Sequence, residues 1–412
     1  MTDTVTVGRA TRATYAAFAG SGFAFASWAS RIPQLRDHLA LSPAELGLVL
    51  LFVAAGSVTA LPLSGVVVAR IGSRRCVQAT AVLFGAALVL VALAWVAGVW
   101  LVVTALYFLG VANGLWDVAM NVQGALVERR LGRSVMSRFH AGFSMGTVAG
   151  ALLSAGLVAL HVPATAHLAT IGLLVALVVT AEVRGFLPDH GTDDDTADTG
   201  DGTGGASAAP GEPGGAVGTG VRTAWREPRT VLVGVFVLAF AFAEGTGNDW
   251  INVAVIDGYG ASPTVAVLAF ATFLAAMTVG RWFGPALLDR YGRVVVVRLL
   301  AALGGLGSLL FVLGPGLATA FVGAVLWGGG ISLGFPVGMS AGADEPRAAA
   351  ARVSVVASIG YCAFLAGPPV VGFLGDHATV LRALVSVSVL LAVAVLLADS
   401  VRPLGAQRRH AD

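Results

Sequence analysis

Asn113, Asp117 and Asn121 fall four residues apart in a stretch of apolar and small side chains. On a helix that spacing lines them along one face. A carboxylate between two carboxamides can exchange a proton or hold the hydroxyl groups of a solute. The same stripe also fits a plain hydrogen-bond cluster between packed helices. A second acid, Glu244, lies in another apolar stretch, with Asn248 one turn on and Asp249 and Trp250 after it. It could carry a proton, hold a polar or cationic solute, or pair with a donor on a neighbouring helix, whereas Asp249 reads as interfacial. His140, four residues before Ser144, titrates near neutral pH and is a candidate for proton transfer, gating or a structural contact. Arg281 is expected to pair with an acid or with helix-end carbonyls, and Asp289, two turns on, is a candidate. Trp28 and Trp116 neighbour polar positions and could stack on a solute ring, although membrane tryptophans also act as interfacial anchors.

Other chemistries lack their residues. All 25 basic residues are arginine, so no phosphate-binding loop with its lysine can form. His161, His167 and His377 are scattered outer-loop residues without metal-ligand spacing. No cofactor or metal is expected. Cys76 and Cys362 fall in different apolar segments, which argues against a disulfide framework. A net charge of +2 gives no reason to expect nucleic acid as a partner.

The elements that position these residues must be membrane helices. The 412 residues are 57% hydrophobic and 12% charged, against about a quarter charged in soluble proteins. A span needs roughly 20 apolar residues, and twelve are expected. The first six cover 13–30, 43–69, 76–97, 98–124, 139–160 and 164–184. The second six cover 230–252, 262–288, 294–314, 317–342, 351–374 and 379–398. The first resembles a signal peptide in its flanks, but eleven further spans favour an uncleaved helix. Asp117 then lies about 9 Å from the centre of the fourth span, where a charge costs some 2.5 kcal/mol or more.

Arginine sets the expected orientation. With a cytoplasmic N-terminus only Arg31, Arg36 and Arg382 fall outside, a strong positive-inside bias that also places the C-terminus inside a plasma membrane. Residues 185–229 contain Asp193, Asp194, Asp195 and many glycines. They read as a flexible cytoplasmic linker between bundles at 1–184 and 230–412, the second ending in a short tail.

The two halves repeat. Phe23-Ala24-Phe25-Ala26-Ser27 returns as Phe240-Ala241-Phe242-Ala243-Glu244, and Arg70-Ile71-Gly72 as Arg290-Tyr291-Gly292. Ala119-Met120-Asn121 is echoed by Gly338-Met339-Ser340, and Arg138 with Ser144 and Gly146 by Arg352 with Ser358 and Gly360. Offsets stay between 214 and 220 residues. Because six spans is an even number, both halves enter the membrane in the same direction, as in transporters built from parallel repeats. Gly142, Gly146 and Gly150 have the spacing of close helix packing, and Gly328-Gly329-Gly330 with Pro336 would make the tenth helix deformable.

This pattern resembles the major facilitator superfamily. Its loop between helices 2 and 3, Gly-x-x-x-Asp-Arg-x-Gly-Arg-Arg, is matched here by Gly65, Arg70, Gly72 and Arg74, with Ala69 at the acid. The second half has Asp289, Arg290, Gly292 and Arg293, with Pro285 in the leading position. Three stretches resemble the fucose-permease-like branch: 113–121 (NGLWDVAMN), 140–150 (HAGFSMGTVAG) and Gly334-Phe335-Pro336. The resemblance implies an all-helical fold of two six-helix bundles that transports a small solute by alternating access and can work as a monomer. In that branch acids on helices 1 and 4 serve coupling. Asp117 fits the second, while the first helix offers only Ser21, Ser27 and Ser30. Helices 1 and 7 line the pathway, so Asp117, Glu244 and His140 are the expected proton-coupling groups. Asn113, Asp117, Asn121, Glu244, Asn248, Trp28 and Trp116 are the expected solute contacts. Gly65, Arg70, Gly72, Arg74, Arg281, Asp289, Arg290, Gly292 and Arg293 are the expected cytoplasmic gate, its charges pairing across the halves, with Gly65 permitting close helix approach. Proton-driven export of drugs or secondary metabolites competes with import of a polar nutrient. A membrane-embedded transferase or a non-transporting sensor would need a catalytic cluster or a soluble module, and neither is visible.

Overall fold

The computed structural model describes residues 2–132, 135–189, 221–345 and 348–404, so most of the expected linker and the tail beyond 404 lie outside the described residues. The described chain is helical. The first six long helices are α1 (Thr2–Ala29), α2 (Pro43–Ile71), α3 (Ser73–Ala97), α4 (Val99–Leu131), α5 (Met136–Ala159) and α6 (Ala164–Glu182). The second six are α7 (Pro228–Tyr259), α8 (Pro263–Tyr291), α9 (Arg293–Leu313), α10 (Leu317–Gly342), α11 (Ala349–His377) and α12 (Val380–Val401). A short helix, Ile32–His38, lies between α1 and α2. Eleven of the long helices are long and apolar enough to cross a membrane among the described residues. The remaining one, α1, carries more small and polar side chains and is packed against α4, α5 and α6.

Several helices outrun their apolar cores. α4 continues to Leu131 rather than 124, and α7 to Tyr259 rather than 252. Hydropathy marks the lipid-compatible stretch, whereas backbone hydrogen bonding continues through polar residues until a glycine ends it. Gly132 and Gly260, both left-handed, do so here.

Local signals repeat as faithfully as the sequence does. Ser42 and Ser262 cap α2 and α8 by accepting from Glu45 N and Val265 N, each followed by proline at the first helical turn. Both helices end at a glycine with positive φ, +82° at Gly72 and +79° at Gly292, a conformation that other residues resist. The chain then turns straight into α3 and α9. Packing follows: α1 with α5, α2 with α4, α3 with α6 and α3 with α4 recur as α7 with α11, α8 with α10, α9 with α12 and α9 with α10. These are two pseudo-symmetric six-helix bundles, and they meet through α2 with α11 and α5 with α8.

Between apolar helices in lipid, close packing replaces the hydrophobic drive of water. A Cβ on Gly146 would come within 2.2 Å of Ala19 O, and one on Gly150 within 2.5 Å of Phe23 O. α1 and α5 therefore touch backbone to backbone. α10 is interrupted between its segments Leu317–Ile331 and Gly334–Gly342, directly after the glycine run.

Candidate functional site

Asp117 and Glu244 both lie at mid-helix. α4 runs past its apolar core, so Asp117 is about 3 Å from the midpoint of the helix while remaining about 9 Å from the centre of the apolar span. Protein surrounds it on nearly every side, yet its side chain is exposed. That combination describes a group lining an internal space rather than one facing lipid. Asn121 Nδ2 donates to the Asp117 carbonyl at 2.8 Å and to its Oδ1 at 3.3 Å, and Tyr361 of α11 faces it from the other half, within electrostatic range. The stripe is thus assembled, with Asn113 half-buried one turn away.

Glu244 has different company. Arg281 Nη2 donates to both carboxylate oxygens at 2.8 Å, and Arg281 Nε reaches Ser332 O at 3.4 Å. Ser332 is in the interruption of α10, where its carbonyl is free to accept. Arg281 is therefore tied to Glu244 in the bundle interior and not to Asp289, because its side chain points at α7 and α10 instead of along its own helix. Its expected place in a gate at the helix ends is corrected accordingly. His140 of α5 is exposed, packs edge-on to Phe18 at 5.1 Å and lies within electrostatic range of Arg281 across the two halves.

The expected aromatic contacts are packed away. Trp28 and Trp116 are fully buried, and Trp116 meets Phe84 edge-on at 6.1 Å. They fill bundle cores rather than the internal space. Asn248 is half-buried with Oδ1 unpartnered, and Asp249, also half-buried, makes no hydrogen bond or ion pair among the described residues. His167 is likewise no loop residue: buried on α6, it accepts from Arg31 Nε at Nδ1, 2.9 Å away, while Arg31 Nη2 donates to Val162 O at 3.1 Å. No cluster of metal-ligating side chains occurs among the described residues.

The bundles are sealed at one end, the one holding Arg31, Arg36 and Arg382. Arg36 Nη2 donates to Asp257 Oδ1 at 2.9 Å, a second guanidinium bond goes to Asp257 Oδ2, and Asp37 braces the same arginine. These carboxylates raise the Arg36 pKa above its ordinary value, against burial. Asp376 of α11 accepts from Ala44 N at 3.2 Å and Ser42 Oγ at 3.3 Å, capping α2 from the opposite half. Asn252 Nδ2 donates to Ala29 O at 3.1 Å. Backbones touch where a Cβ on Gly47 would meet Pro368 O and one on Gly372 would meet Pro43 O, both at 2.4 Å. Sequence reasoning missed Asp257 and Asp376. Their only signal was an acid near the arginine-poor end of α7 and of α11.

The family model described as the Major Facilitator Superfamily matches residues 14–363. The chain belongs to the major facilitator superfamily. An MFS-type transporter of Yersinia pestis is 30% identical over 377 residues, covering 91% of each chain. Three solved folds, each 14% identical, are similar throughout: a bacterial homologue of the human lysosomal transporter Spinster (TM-score 0.72, covering 96% of this chain and 97% of that one), the nucleoside transporter NupG (0.70, 94% and 98%) and the E. coli fucose:proton symporter (0.57, 93% and 97%). At this identity the likeness establishes the fold, and it does not favour the fucose symporter over its neighbours.

The superfamily loops are tied within their own halves. Asp189 accepts from Ser73 N and, at 2.5 Å, from Ser73 Oγ. Arg74 Nη1 reaches Arg184 O at 3.4 Å. In the second half Asp344 accepts from Arg293 at 2.7 Å and Arg229 at 2.8 Å. Arg290 stacks on Tyr291, and Arg70 and Asp289 are exposed. Among the described residues the expected pairing of these charges across the halves is not made in this conformation. Gly65 has nothing within 4 Å of a Cβ position, so it does not serve close helix approach here.

Proposed function

We propose that the chain is a secondary active transporter that moves a small polar solute by alternating access, coupled to protons through Asp117. The observation that carries this reading is Asp117 itself: a mid-helix carboxylate within an apolar span, exposed yet surrounded by protein, held by a neutral amide and within electrostatic range of a tyrosine of the other half. An ionisable group kept there against the cost of desolvation needs a use. With no cation tied to it among the described residues, it is free to change protonation state as the halves rock.

On this reading the arginine-rich end is cytoplasmic, with both termini inside a plasma membrane. The closed end is then the outer one and the conformation faces inward. The loop charges, satisfied within each half, are free to pair across the halves once the inner side closes. Glu244 would have favoured export of cationic compounds, and its neutralisation by Arg281 weighs against that alternative.

The test is flux in proteoliposomes with an imposed pH gradient. A polar metabolite pool is loaded and redistribution is followed by mass spectrometry. One or more polar solutes should move uphill with the gradient and stop when a protonophore collapses it. A protein that moves no component of the pool in either direction, with or without a gradient, would be no transporter.

A further inference from the structure

We propose that Arg281 is a carboxylate-binding subsite that Glu244 occupies at rest, so that the transported solute is a small organic carboxylate and Glu244 takes up a proton when the solute displaces it. This rests on the transport reading above and names its substrate class.

A guanidinium offers five N–H donors in a fork that matches a carboxylate. Here Nε is spent on Ser332 O and Nη2 on Glu244, while Nη1 makes no hydrogen bond among the described residues. The Arg281 side chain keeps 29% of its surface exposed. Glu244 and Arg281 belong to the same bundle, so their pair cannot lock the halves together and travels with the second half as they rock. His140 of the first half lies within electrostatic range of Arg281, on α5, the helix that packs against α8.

Other titratable groups at this depth are few. Asp249 lies on α7 itself, α11 brings Tyr361, and α4 brings Asp117, which stands with Tyr361 rather than with Arg281. Residues 317–342 of α10 and 385–397 of α12 contain no charged side chain. α1 contributes serines in this region, and Ser27 is turned back onto Phe23 O. Nothing else here neutralises Arg281, so removing Glu244 without replacement would leave a bare cation in the membrane.

Exchange avoids that cost. Glu244 carboxylate plus one proton becomes the neutral acid and lets go of the fork. An incoming carboxylate takes its place at Nη1 and Nη2, with His140 closing on it from the other bundle. One proton and one monoanion enter together, the net charge of the site is unchanged, and the bound solute joins the halves.

The test measures binding rather than transport, using acetate as the probe, with chloride and acetamide as controls, on purified full-length protein followed by thermal unfolding. In Glu244→Ala, which leaves the fork empty, acetate should raise the unfolding temperature saturably at any pH from 5.5 to 7.5, and acetamide should not. In the wild type the apparent acetate affinity should tighten as pH falls, by up to about tenfold per pH unit for one linked proton. The double variant Glu244→Gln/Arg281→Gln should lose the response. Acetate acting no better than chloride in Glu244→Ala, or responding unchanged after Arg281 is removed, would overturn the proposal. Should Glu244→Ala not fold, wild type against Glu244→Gln at the two pH values decides it: a pH dependence common to both would rule out Glu244 as the exchanged group. Acetate binding without flux of any solute would instead count against the transport reading and leave the subsite standing.

Discussion

Asp117 and Glu244 occupy the middle of helices in pseudo-symmetric bundles, and their surroundings are opposite. Asp117 is met by an amide from its own helix and a tyrosine across the cleft. Glu244 is chelated by a guanidinium of its own bundle. The repeat Phe-Ala-Phe-Ala brings Ser27 and Glu244 to equivalent places, and there too the halves part: Ser27 closes its hydroxyl on the preceding turn while Glu244 reaches for Arg281. A shared scaffold therefore carries two kinds of acid. One has no cation tied to it among the described residues, and the other is held by its arginine.

Removing the free acid should have the largest effect. Asp117→Asn should strongly reduce uphill accumulation in proteoliposomes, leaving only the drive of the proton taken up at Glu244, while counterflow of the same solute continues, because exchange needs no net proton movement. Loss of both would make Asp117 a solute contact only.

Breaking the tethered pair should cost stability before it costs coupling. Truncating one partner of a fully buried ion pair costs about 3–5 kcal/mol, and less is expected here because Arg281 and Glu244 keep 29% and 20% of their surface exposed. Arg281→Gln should lower the unfolding temperature, and adding Glu244→Gln should recover much of it. An additive double variant would mean that the pair is not coupled.

A smaller shift is expected at the sealed end. Asp257→Asn with Asp376→Asn removes the two carboxylates that hold the halves together there. Contacts of this exposure are worth about 1 kcal/mol each, so the population open at that end should rise by up to about thirtyfold if the two add. Distances between spin labels placed across it would show the change, and an unaltered distribution would assign the seal to backbone packing at Gly47 and Gly372.

The smallest effect concerns Glu227, at the start of α7, where Arg352 bonds both carboxylate oxygens and holds its pKa below the usual glutamate range. A folded-state pKa below the unfolded value of about 4.3 contributes stability that is present above that value and is lost as pH falls through the folded one. Glu227→Gln should therefore lower neutral stability slightly, by that contribution, and flatten the acid limb of the profile, leaving stability at low pH almost unchanged.

Much of this was legible in the sequence. Helix number, the repeat and the polar stripe follow from hydropathy, internal similarity and a spacing of four. The partners of charged groups do not, since pairing depends on which bundle face a long side chain crosses. Arg281 was expected to meet an acid or helix-end carbonyls, and it does both, but the acid is Glu244 rather than the candidate Asp289 and the carbonyl lies in the interruption of α10. Trp116 neighbours Asp117 in sequence but points 100° away around the helix, into Phe84. Arg31 and His167, read as loop residues, bond to each other inside the first bundle because the helix ends there are buried.

The contrast between the two acids is tested most directly by infrared difference spectroscopy of the purified protein across pH, without added carboxylate. A protonated carboxyl band that grows as pH falls should vanish in Asp117→Asn and persist in Glu244→Gln. A band that persists in Asp117→Asn and is lost in Glu244→Gln would contradict the account.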